Sequence, residues 1–366
     1  MNRNNIYKFI FAGGGTGGHL FPAVAVAEQI RLLKPEADIL FIGTKEKIEA
    51  RVVPKLGFKF KTIWISGFSR QFNFRNLIFP IKLIVSMFQS LAINIKFNPK
   101  VTIGSGAYVS GPVVWGSSIM GAKIVLMEQN SYPGVTNRLL EKKAEQIYLC
   151  FDDSKQYFRK KDKLKVIGNP IRTELKLKPK SEAVKVFNLN PAKRTLLVLG
   201  GSLGAASLNI VLSGKLNELA KADLQIIWQT GELYFDMYKK FNSESVKVLA
   251  FIEEMSDAYS AADLVIARAG ATTIAEVSAL GLPVIFVPSK NVAANHQLMN
   301  AKSLINEDAA VLIKDDDLQE ELVDTVISLI NNADRLEQLG KNIKKLSRPN
   351  AAKEIAQEVI KLAELN

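Results

Sequence analysis

Short, uninterrupted apolar runs recur along the chain, separated by longer stretches in which apolar positions return every three or four residues. The runs YKFIFAG, DILFIG, VTIGSG, KIVLMEQ and QIYLCF lie in the first half, and TLLVLGG, LQIIWQTG, KVLAFI, LVIARAG and PVIFVPS in the second. Strands that are apolar throughout, rather than at alternate positions, belong to parallel sheets covered on both faces; the stretches between them read as the covering helices. The alternation breaks at VIGNPIRTELKLKPKSE, residues 166–182, whose prolines and basic, polar character mark a linker. Beyond it the pattern restarts: TLLVLGGSLGAASLNIVL repeats the strand, glycine turn and helix of KFIFAGGGTGGHLFPAVAVA. The fold class expected is α/β, with two Rossmann-like, doubly wound parallel-sheet domains facing one cleft, 1–168 and 169–349. The amphipathic helix of 350–366 is expected to return to the first domain.

Composition narrows this little: 366 residues, 48% hydrophobic and 23% charged, suit a globular two-domain chain. The lone cysteine, Cys150, excludes an internal disulfide and a cysteine-based zinc site, and reads as a small buried hydrophobe at a strand end. The polar start MNRNN and the short apolar run after it argue against a leader. In 77–97, the most apolar region, about thirteen uncharged residues separate Lys82 from Lys96, too few to span a bilayer. Charge changes the picture more. The net +12 is confined to one half: residues 1–170 carry 25 Lys/Arg against 11 Asp/Glu, and 171–366 carry 23 against 25. A basic surface on one domain calls for an anionic partner, a membrane or a nucleic acid.

The glycine turn GGGTGGH literally satisfies the dinucleotide fingerprint at Gly13, Gly15 and Gly18. The acidic ribose ligand that such a site needs is misplaced, since Asp38 falls at the wrong end of the second strand and Glu46 beyond it. No Gly-Lys-Ser/Thr follows either glycine turn, so neither is a P-loop. What remains is bare backbone at a helix start, suited to an anion or a sugar hydroxyl, beside His19, one of only two histidines, which can serve as a general base near neutral pH. Other strand ends add polar groups: Tyr108 and Ser110 in IGSGAYVSGP, and Glu128, Gln129 and Asn130 in LMEQNSYPGVTN. In the second half Ser202 lies in the glycine turn, Glu276 stands two turns into the helix of ARAGATTIAEV, placed for ribose hydroxyls, and His296 and Gln297 follow on the next loop.

GGGTGGH, YVSGP, EQN, GNPIRT, GGSLGA, FIEEM, RAGATTIAE and HQLMNA stand here in the order and spacing of the MurG family of peptidoglycan glycosyltransferases, which the chain resembles nearly end to end. The resemblance implies a GT-B fold and an inverting transfer of GlcNAc from UDP-GlcNAc to the C4 hydroxyl of lipid I, without metal or other cofactor and without nucleic acid. It further implies donor contacts at Thr16, Gly17, Gly18, Asn130, Arg172, Ser202, Ile252, Ala271, Thr272, Thr273, Glu276 and Gln297. His19 is the expected base and Glu128 the reserve, with Tyr108 and Asn137 in the acceptor region. Ala107 stands where the family commonly has glycine, and His296 where some members have glutamine. A lipid-linked diphosphate acceptor implies peripheral residence on the cytoplasmic face of the plasma membrane. The stripe Leu77, Ile81, Ile84, Phe88, Leu91 and Ile95, preceded by Arg70 and Arg75, is then either core or an anionic-lipid docking face, with Ile78, Phe79 and Val85 as the complementary set. A UDP-sugar epimerase of similar build would explain the nucleotide motifs but not the basic, apolar face, and a transferase acting on another lipid acceptor remains the alternative within the family's fold.

Overall fold

The computed structural model describes residues 7–67, 77–172, 175–201, 203–290 and 295–365. Two compact units divide the chain, 1–172 with 348–366, and 173–347. In the first unit the strands are β1 (Lys8–Ala12), β2 (Asp38–Gly43), β3 (Lys59–Thr62), β4 (Val101–Gly104), β5 (Lys123–Glu128), β6 (Gln146–Leu149) and β7 (Leu164–Val166). Its helices are α1 (Gly17–Leu33), α2 (Ile48–Lys55), α3 (Phe79–Phe97), α4 (Ser110–Ile119) and α5 (Val135–Leu140). The second unit has β8 (Arg194–Leu199), β9 (Leu224–Gln229), β10 (Val246–Leu249), β11 (Leu264–Ala267), β12 (Val284–Phe286) and β13 (Val311–Leu312). Its helices are α6 (Lys180–Val186), α7 (Ala206–Ala220), α8 (Phe235–Tyr238), α9 (Met255–Ala261), α10 (Ala271–Leu280), α11 (His296–Asn306), α12 (Leu318–Ile330) and α13 (Ala333–Lys345). The last helix, α14 (Ala351–Glu364), belongs to the first unit.

Both sheets are parallel throughout and obey the doubly wound rule, in the orders β3-β2-β1-β4-β5-β6-β7 and β10-β9-β8-β11-β12-β13. Each reverses direction between its first and fourth strands, which opens a crevice at the carboxyl ends of β1 and β4 and another at those of β8 and β11. Phe9, Phe11, Val101, Ile103 and Val125 are fully buried, as are Leu196, Val198 and Ile266, which is why these runs read as continuously apolar. Three edge strands do not: KFKT of β3 is largely exposed, β7 is half-exposed, and β13 has only two residues. Polar edges of this kind guard against strand addition and carry no apolar signature.

The C-terminal helix packs its alanine-rich face, Ala351, Ile355, Ala356, Val359 and Ala363, into the first unit's core against α1. Polar ties hold its flank: Tyr148 donates to Glu358 Oε2 at 2.6 Å, and Tyr7 donates to Glu364 Oε1 at 2.7 Å.

Helix α3 departs from the ordinary amphipathic arrangement: Leu83, Ile93 and Phe97 pack half-buried on the core, but the fully buried positions are polar. Its buried positions are Ser86, Ser90 and Asn94, spaced four apart, while Leu77 just before it and Ile81, Ile84, Phe88 and Ile95 are 55–73% exposed. The inner seam is polar and bonded except at the Ser90 hydroxyl: Ser117 Oγ donates to Asn94 Oδ1 (2.6 Å), Asn94 Nδ2 to the Ser90 carbonyl (2.8 Å), and Thr102 Oγ1 to Ser117 Oγ (2.8 Å). Gly116 of α4 allows the close approach, since a Cβ there would lie 3.2 Å from Asn94 Nδ2. The first stripe faces outward apart from the half-buried Leu91, so it is not the core set. Of the complementary set, Phe79 and Val85 are half-buried and Ile78 is 45% exposed, so that set is the poorer one for probing the surface. Arg70 and Arg75 lie outside the described residues.

Candidate active site

In the first unit the switch point is built by pressing three strand-end loops together. Ser105 N extends the β1–β4 pairing to the Ala12 carbonyl (2.8 Å), and Ser110 Oγ donates to the same carbonyl (2.8 Å). Gly13 is obligatory here, because a Cβ would fall 1.8 Å from Ser105 Oγ. On the first turn of α1 stands His19, half-buried, its Nδ1 2.9 Å from the Ser105 carbonyl oxygen and 3.0 Å from Gln129 Oε1. One imidazole thus gathers the ends of β1, β4 and β5.

The other expected residues of this unit fall into distinct places. Glu128 is 3% exposed, and its carboxylate accepts from Asn130 N (3.0 Å), Gly134 N (2.9 Å) and Asn137 Nδ2 (2.9 Å). Asn137 is equally buried and also donates to the Met127 carbonyl (2.9 Å). Both side chains brace the loop that carries Asn130. Tyr108 is half-buried beside Gly15, hydrogen-bonded to Thr44; burial, and then the charge of Glu49, hold its hydroxyl above the usual phenol range. Thr16 and Gly18 are exposed at the start of α1. Gly17 is buried beneath Phe21, whose ring a Cβ would meet at 2.9 Å, and the Arg172 guanidinium stacks on that ring at 4.8 Å.

One feature of this unit escaped sequence reasoning. Glu49, 1% exposed, accepts from Gly15 N (2.9 Å), Thr44 N (3.0 Å) and Thr44 Oγ1 (2.8 Å), and so fixes the glycine loop from beneath. In GTKEKIE it looks like one more helix-face glutamate; its place just after the second strand was the available signal. Asp38, by contrast, opens β2 and pairs with Lys59 at 2.6 Å, remote from the strand's carboxyl end. Ala107 adopts φ +60°, which explains why glycine suits that position. Cys150, directly after β6, is half-buried rather than fully enclosed; burial and the neighbouring Glu128 charge raise its thiol well above the ordinary range.

In the second unit the glycine turn divides its labour. Gly204 (φ +79°) and Gly231 (φ +87°) press backbone on backbone, a Cβ on either meeting main-chain atoms at 2.3 Å. Gly201 (φ +78°) is exposed with open space over its Cα, which leaves it the position a ligand can approach. Ser202 lies outside the described residues. Helix α10 starts at Ala271 after Gly270, with no side-chain cap and open space above that glycine, and presents its first N–H groups as an anion seat with Thr272 and Thr273 half-buried in the first turn. Glu276, 5% exposed, is fixed by the Tyr259 hydroxyl, which donates to Oε2 at 2.8 Å. Ile252 is buried with its N–H donated to Gln229 Oε1 (3.0 Å). Gln297 Oε1 accepts from Ser289 N (2.8 Å), and His296 opens α11. Sequence reasoning also passed over Arg268, whose guanidinium ties Asp315 Oδ1 (2.6 Å), the Val287 carbonyl (2.9 Å) and Ser207 Oγ (2.5 Å), fixing α7 and the loop after β12 around the end of β11.

Among the described residues no group of three or more His, Cys, Asp or Glu gathers in a way that could hold a metal ion, and no helix is long and apolar enough to cross a membrane.

Comparison with known proteins agrees with this arrangement. Residues 9–149 match the glycosyltransferase family 28 N-terminal domain and 195–355 its C-terminal domain. The chain is 44% identical over 361 residues to the UDP-N-acetylglucosamine--N-acetylmuramyl-(pentapeptide) pyrophosphoryl-undecaprenol N-acetylglucosamine transferase of Flavobacterium psychrophilum, covering 98% of each protein. The enzyme of the same name from Christiangramia forsetii is 43% identical, covering 97% of each. Among solved structures, MurG of Acinetobacter baumannii superposes with a TM-score of 0.72 at 25% identity, covering 97% of this chain and 99% of that one. A putative UDP-N-acetylglucosamine 2-epimerase from Listeria monocytogenes reaches 0.69 at 12% identity over 97% and 96%, a likeness of fold alone. With two α/β units of GT-B type, both family domains in place and kinship over nearly its whole length, the chain belongs to glycosyltransferase family 28 and, within it, to the MurG enzymes.

Proposed function

We propose that the chain transfers N-acetylglucosamine from UDP-N-acetylglucosamine to the C4 hydroxyl of the muramyl residue of lipid I, the pyrophosphoryl-undecaprenol-linked acceptor, giving lipid II and UDP with inversion. What carries the reading is the match to transferases of that name over 98% of both lengths. The second unit takes the nucleotide sugar. Glu276 accepts the ribose hydroxyls, and Ile252, its N–H engaged by Gln229, reads uracil through its carbonyl. Gly201, Ser202 and the start of α10 at Ala271, Thr272 and Thr273 receive the diphosphate. As the sugar–phosphate bond breaks, negative charge grows on UDP, and preset N–H donors at a helix start stabilise it; each such donor is typically worth about 3 kcal/mol. Gln297, with Oε1 held by Ser289, turns its NH2 to the sugar, which Thr16, Gly18, Asn130 and Arg172 also contact; Gly17 acts through the Phe21–Arg172 stack.

The acceptor hydroxyl gives its proton to His19 while its oxygen bonds to the anomeric carbon, and the electron pair of the breaking bond leaves with UDP. Glu128 and Asn137 position the loop of Asn130 instead of moving protons, and Tyr108 borders the acceptor. The outer face of α3, with Lys82, Lys96 and Trp64 beside it, docks on the anionic cytoplasmic leaflet, where the lipid acceptor resides. UDP release from UDP-N-acetylglucosamine, measured with and without a lipid I analogue, tests the whole reading. Turnover must depend on the acceptor, and equal UDP release in its absence overturns it.

A further inference from the structure

The proton of His19 has a fixed address. Its Nδ1 faces two oxygens, the Ser105 carbonyl at 2.9 Å and Gln129 Oε1 at 3.0 Å. The first accepts only. The second is set by the far end of the same carboxamide, because Gln129 Nε2 faces the Met127 carbonyl and must therefore be the donor there. Gln129 is 2% exposed, so its carboxamide is enclosed by protein. Gly106 completes the seat: at φ +99°, with a would-be Cβ 2.8 Å from Nδ1, it admits the ring only because it is glycine. Ionisable groups on the flanking elements are turned elsewhere. Glu128 faces the 130–137 loop, Glu49 faces Gly15 and Thr44, Tyr108 faces Thr44, and Arg172 lies over Phe21.

We infer that Gln129 is a positioning residue for the transfer. With Ser105 and Gly106 it locks His19 in the Nδ1–H tautomer and leaves Nε2 as the nitrogen that takes the acceptor proton. A neutral carboxamide here, where many histidine bases have a carboxylate, orients the ring without adding charge beside it. The inference deepens the reading of His19 as base and rests on it.

The test exploits the presence of only two histidines in the chain, His19 and His296. Nitrogen-15 NMR of the full-length protein above the histidine titration range should show His19 with a protonated Nδ1 and a bare Nε2; the opposite tautomer overturns the assignment. Gln129→Glu places a carboxylate against Nδ1 and should raise the His19 titration midpoint by about one pH unit or more. The acid limb of kcat/KM should move up with it, because the base works only when unprotonated. A folded variant with an unmoved midpoint overturns the role of Gln129. A midpoint that moves while the kcat/KM limb stays in place leaves the tautomer lock standing and overturns the reading of His19 as base.

Discussion

The outward stripe of α3 is open to a direct test by replacing Ile81, Ile84 and Phe88 together with serine. These side chains are 56%, 55% and 70% exposed, and the helix is held from its other face by Ser86, Ser90 and Asn94, so folding should survive the change. Full burial of such a side chain is worth about 2–3 kcal/mol, which scaled by the exposed fraction leaves roughly 1–2 kcal/mol each for a lipid interface to recover. Three immersed residues then contribute roughly 4 kcal/mol, about a thousandfold in partitioning, and half-immersion still leaves roughly thirtyfold. Lys82 and Lys96 add about 1 kcal/mol apiece near an anionic surface, a share that added salt removes. The assay is co-sedimentation with vesicles containing phosphatidylglycerol, against phosphatidylcholine vesicles and at two ionic strengths, with UDP binding as the control. The triple variant should lose at least tenfold in vesicle affinity and keep its affinity for UDP. Unchanged sedimentation would show that this face serves something other than lipid.

Two further outcomes follow from the acceptor-side loops. Glu49→Gln keeps the volume but turns an NH2 toward either Gly15 N or the Thr44 donors, where three hydrogen bonds now end on one carboxylate. The mispaired donor costs about 2 kcal/mol, so thermal stability and acceptor kcat/KM should fall while the affinity for UDP does not; wild-type stability and acceptor kinetics would dismiss Glu49 as the loop's anchor. Ala107→Gly relieves a left-handed alanine at φ +60°, a gain of about 1–2 kcal/mol partly offset by the greater freedom of glycine in the unfolded chain. The net stabilisation of roughly 0.5–1 kcal/mol should appear as a higher denaturation midpoint, and a lower one would place the strain elsewhere.

The parts of this molecule that the sequence declares are those in which one residue type has one reason to be there. A strand buried on both faces must be apolar throughout, so the nine inner strands announce themselves; of the edges, β10 still shows in its apolar run, β3 and β7 carry lysines, and β13 is too short to show any pattern. Gly13 and Gly106 are glycine because a neighbour occupies the space of a Cβ, and Ala107, an alanine at positive φ, shows that position by its cost. Carboxylates are harder to read because a charge can face water, a ligand or a buried set of donors with the same letter in the sequence. Glu128 and Glu49 illustrate both directions of that ambiguity. The one flagged for proton transfer is enclosed by Asn130, Gly134 and Asn137, and the one the sequence did not single out lies beneath the glycine loop. Helix α3 departs from the usual rule, since its fully buried positions are serine and asparagine, Leu83, Ile93 and Phe97 pack half-buried beside them, and a second apolar stripe lies outside; periodicity finds the stripe but not the side it faces. What resolves such cases is the pairing of donors with acceptors. A buried carboxylate on which three hydrogen bonds end is already committed to the loop that supplies them. An imidazole with both acceptors on one nitrogen has its other nitrogen left for chemistry. On the proposed reading His19 takes the acceptor proton through its other nitrogen, while Glu49 and Glu128 hold the loops on either side of it.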